Sequence, residues 1–363
     1  MTFRQKRVMA AWSFLAPFLI IQGIFFVYAA VRAVYFSFTD YNMFNEAAFV
    51  GLQNYADLFR EANFLYALRN TVAFSLIVTT VQTILALILA SILNRKMKGI
   101  GFFRAAFYLP SIASSVVITV IFLWLFQRRG FINYIAGTIL SLGPSLFTLA
   151  FFFFIIQSLT VLIERKKGFP IRFFDAPTGV LSFFLASGIA VLGTMTGIID
   201  PGPSVDIDFV WLQTRQTVLG VPVPLIAIMI QNTFTTIPTL MLIFLAGLQD
   251  VPVSYYEAAS IDGAGPVRQF FSITVPAIRP VLFLVTTMGL IGTLQMFDQV
   301  AIFGDAVPQE SVITLAYFVY DRMFPGAQLP EVGLASAAAM FLALFTLTAV
   351  LIQRIVIKDR GDV

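Results

Sequence analysis

Polar side chains inside otherwise apolar stretches are the first candidates for chemistry in this sequence. Residues 222–248 and 281–303 are long apolar stretches that nevertheless contain amides, hydroxyls and a carboxylate. A polar group inside a membrane-spanning segment is costly, so each one is a candidate for function. Amide and carboxylate groups hydrogen-bond the hydroxyls of polar solutes. We therefore predict a solute pathway lined by Gln231, Asn232, Thr235, Gln295 and Asp298.

Spacing strengthens this prediction without settling it. Gln231 and Thr235 are four residues apart, as are Gln295 and Gln299, and residues four apart on a helix share a face. The alternative is that these groups only join helices to one another, because Thr, Asn and Gln commonly hydrogen-bond between membrane helices. Both interpretations stay open at this point.

The composition identifies the class of protein. Hydrophobic residues make up 59% of the 363 positions, charged residues 12%, and the mean hydropathy is +0.89. Soluble domains carry about 25% charged residues, so this chain is predicted to be a polytopic membrane protein. It has no cysteine and no histidine. Disulfides, thiolate or imidazole metal sites and cysteine nucleophiles are therefore excluded, and we expect no metal site and no catalytic residue.

Eight apolar stretches have the length of about 20 residues that a membrane-spanning helix needs. They are continuous rather than alternating, which excludes a transmembrane β-barrel. We predict an all-α polytopic membrane protein with about eight transmembrane helices in a single transmembrane domain, residues 1–363. The eight stretches are residues 10–36, 68–93, 104–126, 144–163, 179–199, 222–248, 281–303 and 333–357.

The distribution of lysine and arginine orients these helices. Cytoplasmic loops of membrane proteins are enriched in both residues. With the N-terminus inside, all lysines and most arginines fall in cytoplasmic segments, including "NRKMKG" at 94–99 and "ERKKGFPIR" at 164–172. We predict that both termini and the segment 250–280 are cytoplasmic. Arg128 and Arg129 conflict locally, because this topology places them outside.

The segment 250–280 contains local signals for two short helices. Asp250 is a predicted N-cap and Pro252 fits the first turn of a helix. Gly263 follows where a left-handed residue would end that helix. Pro266, after Gly265, fits the first position of a second helix. The predicted conformation is a helix, a glycine turn and a second helix.

The charge of this segment favours a protein partner over a lipid surface. The alternative is a loop that lies on the lipid headgroups, for which a face rich in lysine and arginine is typical. The loop has only Arg268 and Arg279 as cations, against Glu257 and Asp262. Small residues beside charges of both signs suit a docking surface for another protein.

The same segment, "EAASIDGAGPVRQFFSITVPAIRP", resembles the EAA signature of the permease subunits of bacterial ABC importers. In that family the loop is a coupling helix that docks in a cleft of a separate ATPase subunit. The resemblance therefore implies an ATPase-coupling loop in this chain. Its residues are Glu257, Ala258, Ala259, Asp262, Gly263, Ala264, Ile273 and Pro276.

Other segments resemble the maltose-type carbohydrate branch of the family, among them "SFTDYN" at 37–42, "FVGLQNYADLF" at 49–59 and "FRAAFYLPSIASSVV" at 103–117. The resemblance is to the first of two permeases. It implies import of a sugar or oligosaccharide by alternating access across the bacterial plasma (inner) membrane. It also implies several partners: a second permease in a heterodimer, two ATPase subunits, an extracytoplasmic solute-binding protein and membrane lipid.

Cofactors are expected on the partners and not on this chain. The sequence has no G-x-x-x-x-G-K-[ST] motif, so ATP and Mg are expected on the ATPase subunits. No nucleic acid is expected as a partner. The family's six-helix core would correspond to the region 68–357. Residues 141–204 depart from the family pattern and are predicted to be an inserted two-helix hairpin.

Two other functions fit the sequence less well. The same architecture could import another polar solute such as a glycerol phosphate, although a phosphate favours a cationic cavity and the apolar stretches hold almost no lysine or arginine. A membrane enzyme or ion-coupled carrier would need a cluster of buried carboxylates, and only Asp298 qualifies.

Overall fold

The structure is a computed structural model. Part of the topology prediction rests on residues outside those that it describes. These are the basic segments 95–99 and 168–172 and most of the acidic stretch 200–210. The described residues are 3–94, 100–141, 143–167, 173, 176–198 and 207–357.

The N-terminal third consists of apolar helices. No water reaches the hydrocarbon core of a membrane, so a long apolar run must satisfy its own backbone hydrogen bonds, and it does so as a helix. The elements are α1 (Phe3–Gln22), a π-helical turn (Gly23–Val27), α2 (Tyr28–Ser37), α3 (Gln53–Leu58), α4 (Ala62–Leu93), α5 (Ile100–Ile112) and α6 (Ser115–Leu125).

Residues 123–211 form a compact unit of their own, and residues 1–122 with 212–363 form the other. The smaller unit contains α7 (Phe131–Ser141), α8 (Gly143–Lys166) and α9 (Ala176–Met195). Helices α8 and α9 pack against each other, and buried Gln157 donates from Nε2 to Thr178 Oγ1 at 3.2 Å. These helices correspond to the predicted stretches 144–163 and 179–199.

The C-terminal half begins with a two-residue β-hairpin whose turn, Leu219 and Gly220, has positive φ at both positions. Long helices and short helical turns follow. The elements are β1 (Thr217–Val218), β2 (Val221–Pro222), α10 (Val223–Gln249), α11 (Val253–Ile261), α12 (Pro266–Gln269), a π-helical turn (Phe270–Thr274), α13 (Val275–Ala277), α14 (Arg279–Leu294), α15 (Asp298–Phe303), a 3-10 turn (Gly304–Ala306), α16 (Gln309–Val312), α17 (Leu315–Met323) and α18 (Val332–Ile357).

The predicted all-α membrane architecture is confirmed. Among the described residues, seven helical spans are long and apolar enough to cross a membrane, or eight if the bent pair α5 and α6 counts as one span. The chain is a multi-pass membrane protein.

Two predicted spans are not continuous helices. The stretch 104–126 bends by 94° between α5 and α6. Pro110 lies in the last turn of α5, where its missing N–H and its ring weaken the helix. The stretch 281–303 is interrupted after Leu294, and α15 begins at Asp298.

Helix α4 is the centre of the larger unit, and both α10 and α14 pack against it. Their contact contains Ala86, Phe244 and Val285, all fully buried. Helices α10 and α14 also approach each other closely, since a Cβ added at Gly247 would lie 2.6 Å from Val281 Cγ2. This frame holds the polar middle of α10 and the short helices between α10 and α14.

Candidate functional site

The predicted helix, glycine turn and helix are present between α10 and α14. Helix α11 ends before Gly263, which has a φ of +77°, and α12 begins with Pro266 in its first turn. The prediction that Asp250 caps α11 is wrong, because Asp250 is the C-cap of α10. Pro252 occupies the N-cap of α11 instead. Asp250 completes the last turn of α10 and therefore lies before the first residue of α11.

Side-chain hydrogen bonds brace this loop. Tyr256 Oη and Thr274 Oγ1 lie 2.9 Å apart and join α11 to the π-helical turn. Gln269 Nε2 donates to Ser260 Oγ at 2.9 Å and to the Ala264 carbonyl at 2.9 Å. Sequence reasoning missed these residues. Gln269 is the last residue of the four-residue helix α12, and no capping pattern predicts its hydrogen bonds to Ser260 and Ala264.

The signature residues divide into an exposed set and an anchoring set. No residue of α11 is buried, and Ile261 is 87% exposed. Glu257 and Ala258 are therefore exposed, and Ala259 is half-buried. Asp262 and Gly263 are exposed at the turn, and Ala264 after them is half-buried.

The anchoring set lies behind the turn. Ile273 and Tyr256 pack against the hydrophobic core cluster, which includes buried Val251 and Ile278. Pro276 lies in α13 and is half-buried. The loop is thus attached through its second half, while α11 and the turn present an accessible surface.

A polar cleft of about 260 Å³ lies where α5, α6, α10 and α15 meet. It brings together four of the five predicted pathway residues and leaves out Gln295. The polar lining residues are Ser111, Ser115, Gln231, Asn232, Thr235, Thr236, Asp298 and Gln299.

Buried Gln231 and its neighbour form the inner wall of the cleft. Gln231 is fully buried, and its Nε2 donates to Thr119 Oγ1 at 2.5 Å, while its Oε1 has no hydrogen-bond partner. Asn232 Nδ2 donates to Gln299 Oε1 at 3.1 Å. Thr235 Oγ1 donates to the backbone carbonyls of Gln231 and Asn232, at 3.2 and 3.0 Å.

The opposite side of the cleft is formed where two helices restart. Ser115, the first residue of α6, donates from Oγ to Asp298 Oδ2, the carboxylate of the first residue of α15. Thr119 and Ser115 lie one turn apart on α6, and Thr119 Oγ1 donates to the Ser115 carbonyl at 2.7 Å. Interrupted helices that face a polar cavity are typical of solute sites in transporters.

The predicted shared face of Gln295 and Gln299 is wrong. Helix α14 ends at Leu294, so the two residues are not on one continuous helix. Gln295 is the exposed C-cap of α14, while buried Gln299 lines the cleft. The Met296 carbonyl accepts a hydrogen bond from buried Thr314 Oγ1 at 2.7 Å, which satisfies a backbone group at the break.

Relatives of the chain are permease proteins. No family model matches the chain. It is 28% identical over 332 residues to the multiple sugar-binding transport system permease MsmF of Streptococcus mutans, which covers 91% of this chain and 89% of that protein. It is 26% identical over 333 residues to the sn-glycerol-3-phosphate transport system permease UgpA of Escherichia coli, which covers 91% of this chain and 88% of that protein.

Solved structures share the fold. A bacterial ABC transporter involved in import of the acidic polysaccharide alginate aligns with a TM-score of 0.68 at 16% identity, covering 98% of both chains. Its complex with an alginate pentasaccharide-bound periplasmic protein aligns with a TM-score of 0.65 at 17% identity, covering 96% of this chain and 94% of that chain.

All of these likenesses are to transport proteins of one kind. Permease subunits of ABC importers are not enzymes, bind no cofactor of their own and lie in the bacterial plasma (inner) membrane. In the second alginate structure, the transporter is in complex with a periplasmic protein. In sequence and in fold, this chain is similar to permease subunits of bacterial ABC importers, and its named relatives include sugar-transport permeases.

Proposed function

We propose that this chain forms part of the translocation pathway of an ATP-driven importer of a sugar or oligosaccharide. The observation that carries the proposal is the exposed helix α11 with its glycine turn, braced against the core by Tyr256, Gln269 and Ile273. A rigid, accessible helical surface that is attached at the ends of α10 and α14 can transmit motion from a bound protein to both helices.

The coupling loop is the proposed docking surface for an ATPase subunit. Glu257, Ala258, Asp262 and Gly263 are on the accessible side of the loop, together with exposed Ile261. An apolar side chain exposed beside acidic groups suits a protein partner. ATP and Mg bind on that partner and not on this chain. Ala259 and Ala264 allow close approach, and Ile273 and Pro276 transmit force to the membrane helices.

The cleft is the proposed passage for the solute. Its walls offer amide, hydroxyl and carboxylate groups, which suit the hydroxyls of a sugar. Gln231, Asn232, Thr235 and Asp298 are the proposed contacts, and Gln299 joins them. Gln295 lies outside the cleft, so we propose no contact between its side chain and the solute there.

The assembly we propose contains a second, related permease in a heterodimer, two ATPase subunits and an extracytoplasmic solute-binding protein. The chain acts as the first of the two permeases. Both termini and the coupling loop face the cytoplasm, the region 68–357 carries the core, and residues 141–204 add a membrane hairpin.

A second candidate solute is a glycerol phosphate, because one of the relatives is the glycerol-3-phosphate permease UgpA. The lining of the cleft favours the sugar, since no lysine or arginine is among the described residues that form it.

Charge reversal in the coupling loop tests the proposal. The chain is co-expressed with its partner subunits, and Glu257→Lys should reduce both co-purification of the ATPase and substrate-stimulated ATP hydrolysis. Glu46→Lys is the matched control, because Glu46 is an exposed acid in the segment between α2 and α3. Wild-type stimulation in the Glu257→Lys complex would refute the docking surface.

Alanine variants test the passage. Gln231→Ala and Asn232→Ala should lower uptake at low substrate concentration by about tenfold, because a lost hydrogen bond to a buried polar partner costs about 1–3 kcal/mol. Basal ATPase activity should persist. Gln295→Ala distinguishes the cleft from the sequence prediction, and we expect normal uptake. An equal defect in all three variants would contradict the cleft as the passage.

A further inference from the structure

We propose that Asp298 makes the cleft reject anionic solutes, so that the cargo of this chain is an uncharged saccharide. This inference rests on the proposed function, because it names the solute class for the same cleft. It assigns Asp298 a role in specificity beyond that of a general hydrogen-bonding group.

The charge of the cleft comes from one residue. Among the described residues that line it, Asp298 is the only ionisable side chain. Its carboxylate is accessible and accepts the hydrogen bond from Ser115 Oγ. A carboxylate repels an anion that enters the same cleft, and this repulsion is strongest when the two charges are close together.

Asp298 also occupies a place that would otherwise attract anions. Ser115 begins the 11-residue helix α6 and lines the cleft. The N-terminal end of a helix carries a partial positive charge and unpaired N–H groups, which favour an anion. The carboxylate of Asp298 lies against this first residue. The chain therefore supplies its own anion at the position where a carboxylate or phosphate of a solute would bind.

The lining of the cleft contains hydrogen-bond acceptors that suit a solute with donors. Gln231 Oε1 is buried in the wall without a partner. The Asn232 amide donates to Gln299, and Thr235 donates its hydroxyl proton to the backbone. Acceptors need a ligand with donors. A sugar hydroxyl provides a donor, whereas an ionised carboxylate or phosphate oxygen does not.

Rejection of anions is not a property of the fold as a whole. The structural relative is involved in import of an acidic polysaccharide, and a sequence relative is named for glycerol-3-phosphate. The choice between charged and uncharged solutes must therefore depend on individual side chains in each chain. In this chain the geometry points to Asp298.

Charged thiol reagents measure the selectivity directly. The chain has no native cysteine, so Thr236→Cys introduces a single thiol on the cleft lining. The complete transporter in membranes is treated with two methanethiosulfonates, the anionic sulfonatoethyl and the uncharged hydroxyethyl reagent. We expect Asp298→Asn to raise the ratio of the anionic to the uncharged rate by about tenfold.

Two controls make the result specific to the carboxylate in the cleft. Asp298→Glu retains the charge and should keep the low ratio. Asp305→Asn removes an exposed acid outside the cleft and should leave the ratio unchanged. The rate with the uncharged reagent reports whether each variant still forms an accessible cleft, and a variant that fails this check is replaced by Asp298→Ser.

An unchanged ratio in Asp298→Asn, with a normal uncharged rate, would overturn the proposal. A rise of equal size in Asp305→Asn would also overturn it. Because labelling requires no transport, this failure differs from failure of the proposed function, which would appear as normal ATPase stimulation in Glu257→Lys.

Discussion

Gln82 of α4 and Gly289 of α14 face each other so closely that a Cβ at position 289 would lie 2.5 Å from Gln82 Nε2. Gln82 is fully buried, and neither its Nε2 nor its Oε1 has a hydrogen-bond partner. One turn away, the hydroxyls of Thr79 and Thr293 lie 2.9 Å apart. The glycine leaves room for the amide but gives it no partner.

An apolar residue at position 82 should therefore stabilise the protein. An unsatisfied buried polar group costs about 1–3 kcal/mol, so we expect Gln82→Leu to raise the thermal unfolding midpoint of the purified complex. The matched control is Gln353→Leu in α18. Gln353 Nε2 donates to Thr286 Oγ1 at 2.7 Å and to Thr287 Oγ1 at 3.0 Å, and only its Oε1 has no partner. Loss of these two hydrogen bonds should lower the midpoint. A fall with Gln82→Leu would mean that the amide gains a partner in the assembled transporter.

Alanine substitutions at two glycines can distinguish the effect of close helix packing from that of helix propensity. A Cβ at Gly247 would lie 2.6 Å from Val281 Cγ2, whereas a Cβ at Gly292 would meet nothing within 4 Å. Alanine favours a helix over glycine by about 1 kcal/mol at either site. Gly292→Ala should be neutral or stabilising. Gly247→Ala should destabilise by about 1–3 kcal/mol through overpacking.

The measurement is thermal unfolding of both variants, with a rescue. Val281→Ala removes both Cγ atoms that the new Cβ would meet and leaves Cβ of residue 281 at 3.2 Å. The double variant Gly247→Ala/Val281→Ala should therefore lose less stability than the two single changes added together. If the two single losses of stability simply add, the new Cβ does not clash with Val281, and α10 and α14 must move apart to accommodate it.

A single hydroxyl in the coupling loop should matter for transmission. Tyr256→Phe removes the hydrogen bond to Thr274 and should loosen α11 by about 1 kcal/mol, while the ring keeps its packing. We expect less solute to be imported for each ATP that is hydrolysed in the presence of substrate. Tyr255→Phe is the matched control, because Tyr255 is exposed and adjacent. Equal effects in the two variants would argue against the brace.

Local rules predicted the coupling loop because its signals act over a few residues. Gly263 adopts the left-handed conformation that ends α11, and Pro266 lies in the first turn of the next helix. Asp250 was misplaced because a polar residue between two helices can complete the first or cap the second. Only the neighbouring turn decides between them.

The cleft was only partly predictable because its geometry depends on distant contacts. Hydropathy along 281–303 gives no sign of the break after Leu294, whose freed Met296 carbonyl is satisfied by Thr314 much further along the chain. In a continuous helix, Gln295 and Gln299 would lie on the same face because they are four residues apart. With the break, Gln299 lines the cleft and Gln295 does not. The contact between Ser115 and Asp298 likewise joins residues that are remote in sequence.

Arg128, one of the two arginines that conflict with the predicted topology, forms an ion pair with Asp208. Arg128 Nε donates to Asp208 Oδ1, and Arg128 Nη2 donates to Asp208 Oδ2. The hydrogen bond from Arg128 lowers the pKa of Asp208, and the pair raises the pKa of Arg128. Because the pKa of Asp208 is lowered in the folded protein, the ion pair contributes its full stability above the usual carboxyl pKa. That contribution is lost as the pH falls through the lowered pKa.

Acid titration should reveal this shift. Trp211 lies close by, with Nε1 donating to Asn133 Oδ1 at 2.8 Å. In a variant with Trp12 and Trp124 replaced by Phe, we expect Trp211 emission to change only at a pH below the usual carboxyl value of about 3.9. Asp208→Asn should remove that transition. A transition near neutral pH in both proteins would assign it to another group.

The same ion pair predicts the topology of residues 123–211. Contact between Arg128 and Asp208 requires that both lie on one side of the membrane, so the chain between them crosses an even number of times. Helices α8 and α9 supply two crossings, with Lys167 at the far end of α8. In intact cells, Arg129→Cys and Gln213→Cys should react with a membrane-impermeant maleimide, and Lys167→Cys should react only after lysis. All three positions are exposed, so access through the protein is not limiting. Reaction of Lys167→Cys in intact cells, with the other two, would show that α8 and α9 do not span the membrane.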